Sequence, residues 1–532
     1  MKIRQIGIGA FILLIVAVLS CKDAKNSTIN SPSETKELSE EDLYRPNFHF
    51  SPKNGWMNDP NGMFYYNGYY HLYFQHYPNG NKWGPMHWGH ALSTDLVNWR
   101  EQPIALYPDE LGYIFSGSAV VDHQNTSGFG KDGATPIVAI YTYHDPKKEG
   151  TPEAQTQAIA YSLDEGLSWT KYQGNPVIRN PGIIDFRDPK VFWDALRSQW
   201  VMTLAAGQET HFYTSGNLKE WKFQSTFGKG IGNHDGVWEC PDLFPLEVQG
   251  SDTVKWVHLV SINPGGPNGG SATQYFIGDF DGTRFTVDDS FAQKMEKAHT
   301  YWADFGKDNY AGVTWSDIPA TDGRRIFMGW MSNWQYANEV PTETWRSTMT
   351  VARELQLVQD EYGYSLRILP VSELESYRGT KYKEEGITIK GSRKLIDSEK
   401  INLGKAEIKF EISDLLPTTY TFRLTNDQGD ELALGYDHTD QSFFIDRSRA
   451  GVTDFSENFG DRISVAPKTY TSESLKCTIL LDKTSLELFF DEGRTVMTEI
   501  VFPKAPFKTL ILEAENQEVT LDFIEVHELV IN

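Results

Sequence analysis

Three acids in this chain stand where an acid can do chemistry: Asp59 in GWMNDPNG (55–62), Asp188 in DFRDPKVFW (185–193) and Glu239 in WECPDLF (238–244). Each is followed within two residues by proline and leads into a strand-like apolar run. A tight turn alone would account for Asn58, Pro60, Asn61 and Gly62, each of which favours turns for its own reason. Three acids in such settings point instead to one shared cleft. Glycoside hydrolysis needs one carboxylate that stabilises or attacks an oxocarbenium-like centre and one carboxylic acid that protonates the leaving oxygen. The two lie ~5 to 5.5 Å apart in retaining enzymes and ~6.5 to 9.5 Å apart in inverting ones. Asp59 and Glu239 can fill these roles. Arg187 is expected to keep the adjacent Asp188 ionised and oriented, so that it holds sugar hydroxyls more tightly in the transition state than in the ground state. Glu239, between Trp238 and the uncharged Cys240, is expected to have the raised pKa of a general acid/base.

Positioning such residues together needs a scaffold that converges. From Phe48 to about Leu369 the chain is a succession of short β-branched and aromatic runs separated by Gly, Pro, Asn and Asp, which is an all-β pattern. The phrases HALSTDLVNWREQ (from His90), AYSLDEGLSWTKY (from Ala160) and FYTSGNLKEWKFQ (from Phe212) each read as strand, polar turn, Trp and second strand, and DFDGTRFTV (279–287) is a fourth copy with Phe for Trp. Repeated outer hairpins of this kind predict a propeller. Asp59, Ser116, Asp188, Glu239 and Asp304 precede or interleave these hairpins at intervals of 57, 72, 51 and 65 residues, enough for five blades whose innermost strands all begin at the central axis. After a short connector, alternating strands from Lys405 to Leu529 predict a β-sandwich. The expected boundaries are a signal peptide over 1–20, a tether over 21–44, a five-bladed β-propeller over 45–369, a linker over 370–386 and a β-sandwich over 387–532.

Composition narrows the partners. The 532 residues exceed what one core normally holds. The net charge, 49 minus 72 or -23, repels nucleic acid and anionic membrane surfaces, so a neutral or cationic substrate is expected. Aromatic residues make up 13% of the chain, a supply of rings that suits sugar binding as well as strands and core. Lys2 and Arg4, an apolar stretch from Ile6 to Leu19 and Ser20-Cys21 read as a targeting segment too short to span a bilayer comfortably. Val18-Leu19-Ser20-Cys21 resembles a bacterial lipobox, with Cys21 as the lipidated residue, so the only expected membrane attachment is a lipid anchor, facing the periplasm or the cell surface. Cys240 and Cys477 are the remaining thiols, expected to be small buried residues. No metal-ligand spacing is present and no cofactor is expected.

WMNDPNG, FQHYPNG, FSGS, FRDP, WECPD and GWMSNWQYANEVPTETWR, in this order and approximate spacing, resemble the invertase, levanase and inulinase family of β-fructofuranosidases, glycoside hydrolase family 32. The resemblance spans nearly all of 48–532. It implies a five-bladed propeller with a C-terminal β-sandwich and retaining hydrolysis of β-fructosides, with Asp59 as nucleophile, Asp188 as transition-state stabiliser and Glu239 as acid/base. By the same resemblance Asn58, Gln75, Trp83, Phe115, Ser116, Arg187, Trp334 and Asp304 line the fructosyl pocket; His76 stands where many relatives carry Tyr or Asn. The long block 329–346 is more like fructan-degrading exo-enzymes than plain sucrose invertases. The expected substrates are therefore the terminal fructosyl units of levan or inulin, and sucrose. An endo-acting levanase, an inverting furanosidase and a non-catalytic glycan-capture protein are the alternatives.

Overall fold

The computed structural model describes residues 39–296, 301–361, 363–470 and 472–531. The expected signal peptide, most of the tether and the lipid site Cys21 lie outside the described residues. The tether's last residues form a short helix, Glu40–Tyr44, started by a capping box in which Ser39 and Asp42 satisfy each other's backbone N–H.

Five antiparallel sheets radiate from one axis. Their innermost strands are Gly55–Tyr66, Tyr113–Val121, Phe186–Asp194, Val237–Glu247 and Tyr310–Thr314, here blades I to V. The four repeated phrases are the outer hairpins of blades I to IV. Each turns the same way for the same reason. Asp95, Asp164, Asn217 and Asp281 accept backbone N–H groups two to four residues on. The residue after each of them, Leu96, Glu165, Leu218 or Gly282, takes a left-handed φ of 65°, 63°, 62° or 96°. The ring is closed by parallel pairing of Trp345–Arg346 with Gly55–Trp56, reinforced by the Gly55 N–H donating to the Thr344 carbonyl at 2.9 Å.

The C-terminal region is one continuous sheet wound into two layers. Strand Thr509–Leu529 runs through both: its first part pairs with Thr419–Thr425 and its last part with Lys405–Ile412. The two arms then face each other through stacked rings, Phe410 on Phe422 at 4.2 Å and Phe443 on Phe490 at 4.0 Å. The stretch 370–386, expected as a linker, holds a 3-10 turn at Ser372–Tyr377 and the start of strand Arg378–Asp397, which pairs along nearly the whole of Thr509–Leu529. Its charged composition reads as linker, but only one face of a strand needs apolar side chains, and here the exposed face dominates.

Propeller and C-terminal sheet meet on a buried ionic seam. Arg353 donates from Nε to Glu487 at 2.9 Å, from Nη1 to Asp304 at 2.8 Å and from Nη2 to Thr498 Oγ1 at 2.6 Å, with its side chain fully buried. His49 sits between Asp482, 2.9 Å from Nδ1, and Glu487, 2.7 Å from Nε2. Burial opposes charge on this ring, but the hydrogen bonds it donates to two carboxylates outweigh it and raise His49 to about 9. The folded value exceeds the ordinary 6.5, so the stabilisation is complete below pH 6.5 and is lost as pH rises through about 9. Unfolding free energies measured by denaturant titration should therefore fall by about 3 kcal/mol across that window, and His49→Gln should flatten the decline. A wild-type curve that stays level over the window would remove the seam's charged histidine.

Candidate active site

All five inner strands break register where they reach the axis. The irregularities lie between Met57 and Pro60, Ile114 and Gly117, Arg187 and Lys190, Glu239 and Asp242, and Tyr310 and Val313. Such bulges bend a strand and re-aim a side chain. Asp188 and Cys240 carry the strain as left-handed residues, with φ 67° and 46°. Beside Ser116, Gly117 lets the strand approach its neighbour, because a Cβ there would lie 2.1 Å from the Ile140 carbonyl oxygen.

The bulges bring Asp59, Ser116, Asp188 and Glu239 around a cavity of about 630 Å³, with the buried Tyr310 hydroxyl bonded to Glu239. Ser116 Oγ donates to Asp59 Oδ2 at 2.6 Å and Asn58 Nδ2 to Asp59 Oδ1 at 2.9 Å, while Trp56 Nε1 holds Asn58 Oδ1 at 2.7 Å. The Cys240 N–H donates to Asp188 Oδ2 at 3.0 Å, and its sulfur lies 3.6 Å from both Asp59 and Asp188. Burial pushes the Cys240 thiol well up, so it is a neutral spacer between carboxylates. Gln75 Nε2 donates to Asn61 Oδ1 and the Ile114 carbonyl. Trp83 and Trp334 both line the cavity, Trp334 stacked on Trp56 at 5.8 Å and Trp83 edge-on to Phe115 at 6.1 Å. His76 is buried with Nδ1 2.8 Å from the Trp56 carbonyl, and burial lowers it to about 4, so it supports the blade I hairpin as a neutral ring.

The surroundings of two of the acids differ from those expected. Arg187 does not serve Asp188: its Nε and Nη2 donate to Glu239 Oε1 at 3.0 and 2.9 Å, and Nη1 donates to Asp185 at 2.6 Å. Burial raises Asp188 to about 7; Arg187 opposes the rise and the charges of Glu239 and Asp59 add to it. Burial also raises Asp59, with Ser116 pulling it back. Trp238, expected to flank Glu239 with apolar surface, faces the other side of the strand and packs on His234 and Phe276. The groups nearest the Glu239 carboxyl are Arg187 and the Tyr310 hydroxyl, which donates to Oε2.

Asp304 is not in the cavity. It accepts Arg353 Nη1, the Thr498 N–H and Oγ1, the Gly306 N–H and Asn309 Nδ2, so both its oxygens are consumed in the seam beneath blade V. The fifth inner strand begins at Tyr310, six residues later, and Tyr310 is the residue that reaches the axis. The spacing of the axial motifs points to Asp304 and passes over Tyr310, six residues on. It passes over Gln155, Asp185 and His144 as well, which line the cavity beside Phe115 and Arg187; their only signal is position at strand ends that face the axis.

Family models describe both parts of this architecture: "Glycosyl hydrolases family 32 N-terminal domain" matches residues 49–369 and "Glycosyl hydrolases family 32 C terminal" matches 373–528. The chain belongs to glycosyl hydrolase family 32. Within family 32 it is 45% identical to a levanase of Bacillus subtilis (strain 168) over 531 residues, 99% of this chain and 75% of that protein. It is 40% identical to the extracellular exo-inulinase inuE of Aspergillus niger over 489 residues, 86% of this chain and 90% of that one. Among solved structures, the exo-inulinase of Aspergillus awamori superposes with a TM-score of 0.84 at 36% identity, covering 92% of this chain and 99% of that one. A β-fructofuranosidase of Schwanniomyces occidentalis complexed with fructose gives 0.82 at 34% identity, covering 93% of this chain and all of that one.

Removing Asp304 separates structural from substrate roles in this family 32 member. Asp304→Asn leaves Arg353 buried and underpaired and should cost about 3 to 5 kcal/mol of stability, while the KM for sucrose of the folded enzyme stays unchanged. A raised KM without loss of stability would return Asp304 to the pocket.

Proposed function

We propose that this protein is an exo-acting β-fructosidase that hydrolyses terminal β-fructosyl units of levan or inulin, and sucrose, with retention of configuration. The observation that carries the reading is the convergence of three carboxylates from blades I, III and IV on one cavity walled by Trp83 and Trp334. Relatives named levanase and exo-inulinase point to the same substrate class.

Asp59 is the nucleophile. An ionised carboxyl offers about four acceptor positions, so the donors Ser116 and Asn58 fix its plane and still leave a lone pair on each oxygen to meet the anomeric carbon. Glu239 is the acid/base. As it gives its proton to the leaving oxygen it becomes anionic, and the hydrogen bonds from Arg187 and Tyr310 strengthen as that charge develops. These contacts therefore favour the transition state over the ground state. Water then enters where the leaving group was, and Glu239 takes its proton. Asp188, raised by burial, is in part protonated near neutral pH, so it can donate as well as accept hydrogen bonds with the sugar hydroxyls. Substrate charge fits too, since a neutral sugar adds nothing to the crowded carboxylates and a cationic transition state relieves them.

Exo action is supported by the aromatic walls and by the exo-inulinase relatives. The reading extends to a lipid anchor on Cys21 that holds the enzyme outside the cytoplasm; retention in the membrane fraction by the wild type and release by Cys21→Ala would be its signature, and equal partitioning of the two would remove the anchor. The mechanism is tested by a timed product profile on levan, inulin and sucrose. Fructose alone from the first minutes, released as the β-anomer by NMR, is expected, together with a fall in kcat of about 10² to 10⁴-fold in Asp59→Ala and Glu239→Ala. Early oligosaccharides would establish endo cleavage, an α-anomer an inverting mechanism, and a fully active Glu239→Ala would overturn the assignment of roles.

A further inference from the structure

The propeller axis opens at both ends. Followed away from the active site, the inner strands of blades II to V run to a second cavity of about 360 Å³ whose lining includes Val120, Lys190, Phe192, Asp242 and Thr314. The two cavities are separated by a buried polar plug. The Lys190 ammonium donates to the Thr314 carbonyl and lies 3.7 Å from Asp242, and Asp242 accepts the Thr314 N–H at 2.7 Å and hydroxyl at 2.8 Å. The second cavity is thus a separate compartment and no exit for the active site.

Its walls are unlike the rest of the propeller surface. Phe192, Trp193 and Trp256, all half-buried, line one side, Trp193 edge-on to Trp200 at 4.9 Å and Trp256 5.6 Å from Phe192. Arg325 lines the other. The buried guanidiniums Arg187, Arg353 and Arg447 are each bonded to two carboxylates. Among the described residues the half-buried Arg325 guanidinium has no ion pair and no hydrogen bond; it lies over the Phe244 ring at 4.9 Å. Burial works against its charge, and Asp242 and Asp317 support it only from a distance. A partly desolvated fork of donors with no protein acceptor is costly unless something else accepts from it. The lining carries both signs, Lys190 and Arg325 against Asp194, Asp242 and Asp317, with Asp194 already 3.0 Å from Arg197, so neither an anion nor a cation would enter without meeting its own charge. Aromatic walls, unused donors and mixed charge are the features that hold a neutral polyhydroxylated ligand, and the volume falls within the ~300 to 1,000 Å³ of small-molecule sites.

We propose that this cavity is a second saccharide site, which holds a stretch of the polymer whose terminal fructosyl unit is cleaved at the other end of the axis. The proposal rests on the fructan reading of the active site. A polymer gripped at two places is presented to the catalytic pocket at a raised effective concentration, whereas sucrose cannot engage both. The second site therefore lowers the KM for long fructans and leaves sucrose turnover untouched.

The test uses the full chain with two separate substitutions, Arg325→Ala and Trp256→Ala, each checked for an unchanged melting temperature and unchanged kcat/KM on sucrose. In a Glu239→Gln background, electrophoretic retardation is measured in gels containing levan, inulin or dextran, with excess free fructose added to occupy the catalytic pocket. Retardation by levan or inulin that survives fructose and is lost in both variants, with a several-fold rise in KM for the polymer in the active enzyme, is the expected result. Retardation that fructose abolishes, that both variants retain, or that is missing from the parent would overturn the second site. Absence of sucrose and fructan hydrolysis in the wild type would instead count against the catalytic reading, because turnover reports on the first cavity and retardation under fructose on the second. If either variant lowers the melting temperature, Trp193→Ala replaces it and is read by the same criteria.

Discussion

The site depends on one cation among five acids. Asp59, Asp185, Asp188 and Glu239 crowd around the axis, the exposed Glu149 pairs with His144, and Arg187 is the only arginine or lysine among the residues that line the cavity. Its fork is spent on Glu239 and Asp185, so Asp59 and Asp188 must share a buried space with less than one countercharge each. Burial raises the pKa of both, and like charges at close range add to the rise. The arrangement costs stability until a centre of positive character forms between the carboxylates. A furanosyl ring passing through an oxocarbenium-like state supplies that centre, so the electrostatic strain in the resting site is relieved by the reaction.

The strain is carried by a scaffold that cannot yield. Every inner strand is bulged at the axis, and three of the residues concerned, Asp188, Cys240 and Ala311, hold left-handed backbones that non-glycine residues rarely adopt. Blade V is fixed from beneath by Arg353, Asp304 and Thr498, and Asn309 Nδ2 reaches Asp304 from the position next to Tyr310. The C-terminal sheet therefore acts on the site without touching it. It holds the segment that ends in Tyr310, and Tyr310 holds Glu239.

Much of this was legible in the sequence because it is written in local rules. The outer hairpins announce themselves through an Asp or Asn that caps a turn and a following residue with positive φ, and Ser93, Asp95 and Trp99 show the pattern within seven residues. Asp59, Ser116, Asp188 and Glu239 share a cavity because each lies at the start of an inner strand. Illegible were the choices that depend on register between distant strands. Nothing near Arg187 in the chain says that its fork reaches Glu239, 52 residues on, in preference to its neighbour Asp188. Asp304 looked like the axial residue of the fifth blade because its spacing fits. Its partners Arg353 and Thr498 come from 49 and 194 residues away, and no local pattern encodes them. The strand Arg378–Asp397 was hidden by its charged outer face.

The closure of the ring sets an order of events during folding. Gly55 and Trp56, at the head of the strand that carries Asp59, pair with Trp345 and Arg346. In a chain that emerges N-terminus first, the inner edge of blade I stays unpaired while blades II to IV and the inner strands of blade V are made, offering free backbone N–H and C=O groups to any passing strand. The first blade to be synthesised is thus closed only after three later blades are complete, with the outer strands of blade V still to come. A cell that makes this protein must keep that edge covered until residue 345 arrives, which ties successful assembly of the active site to late events in synthesis and export.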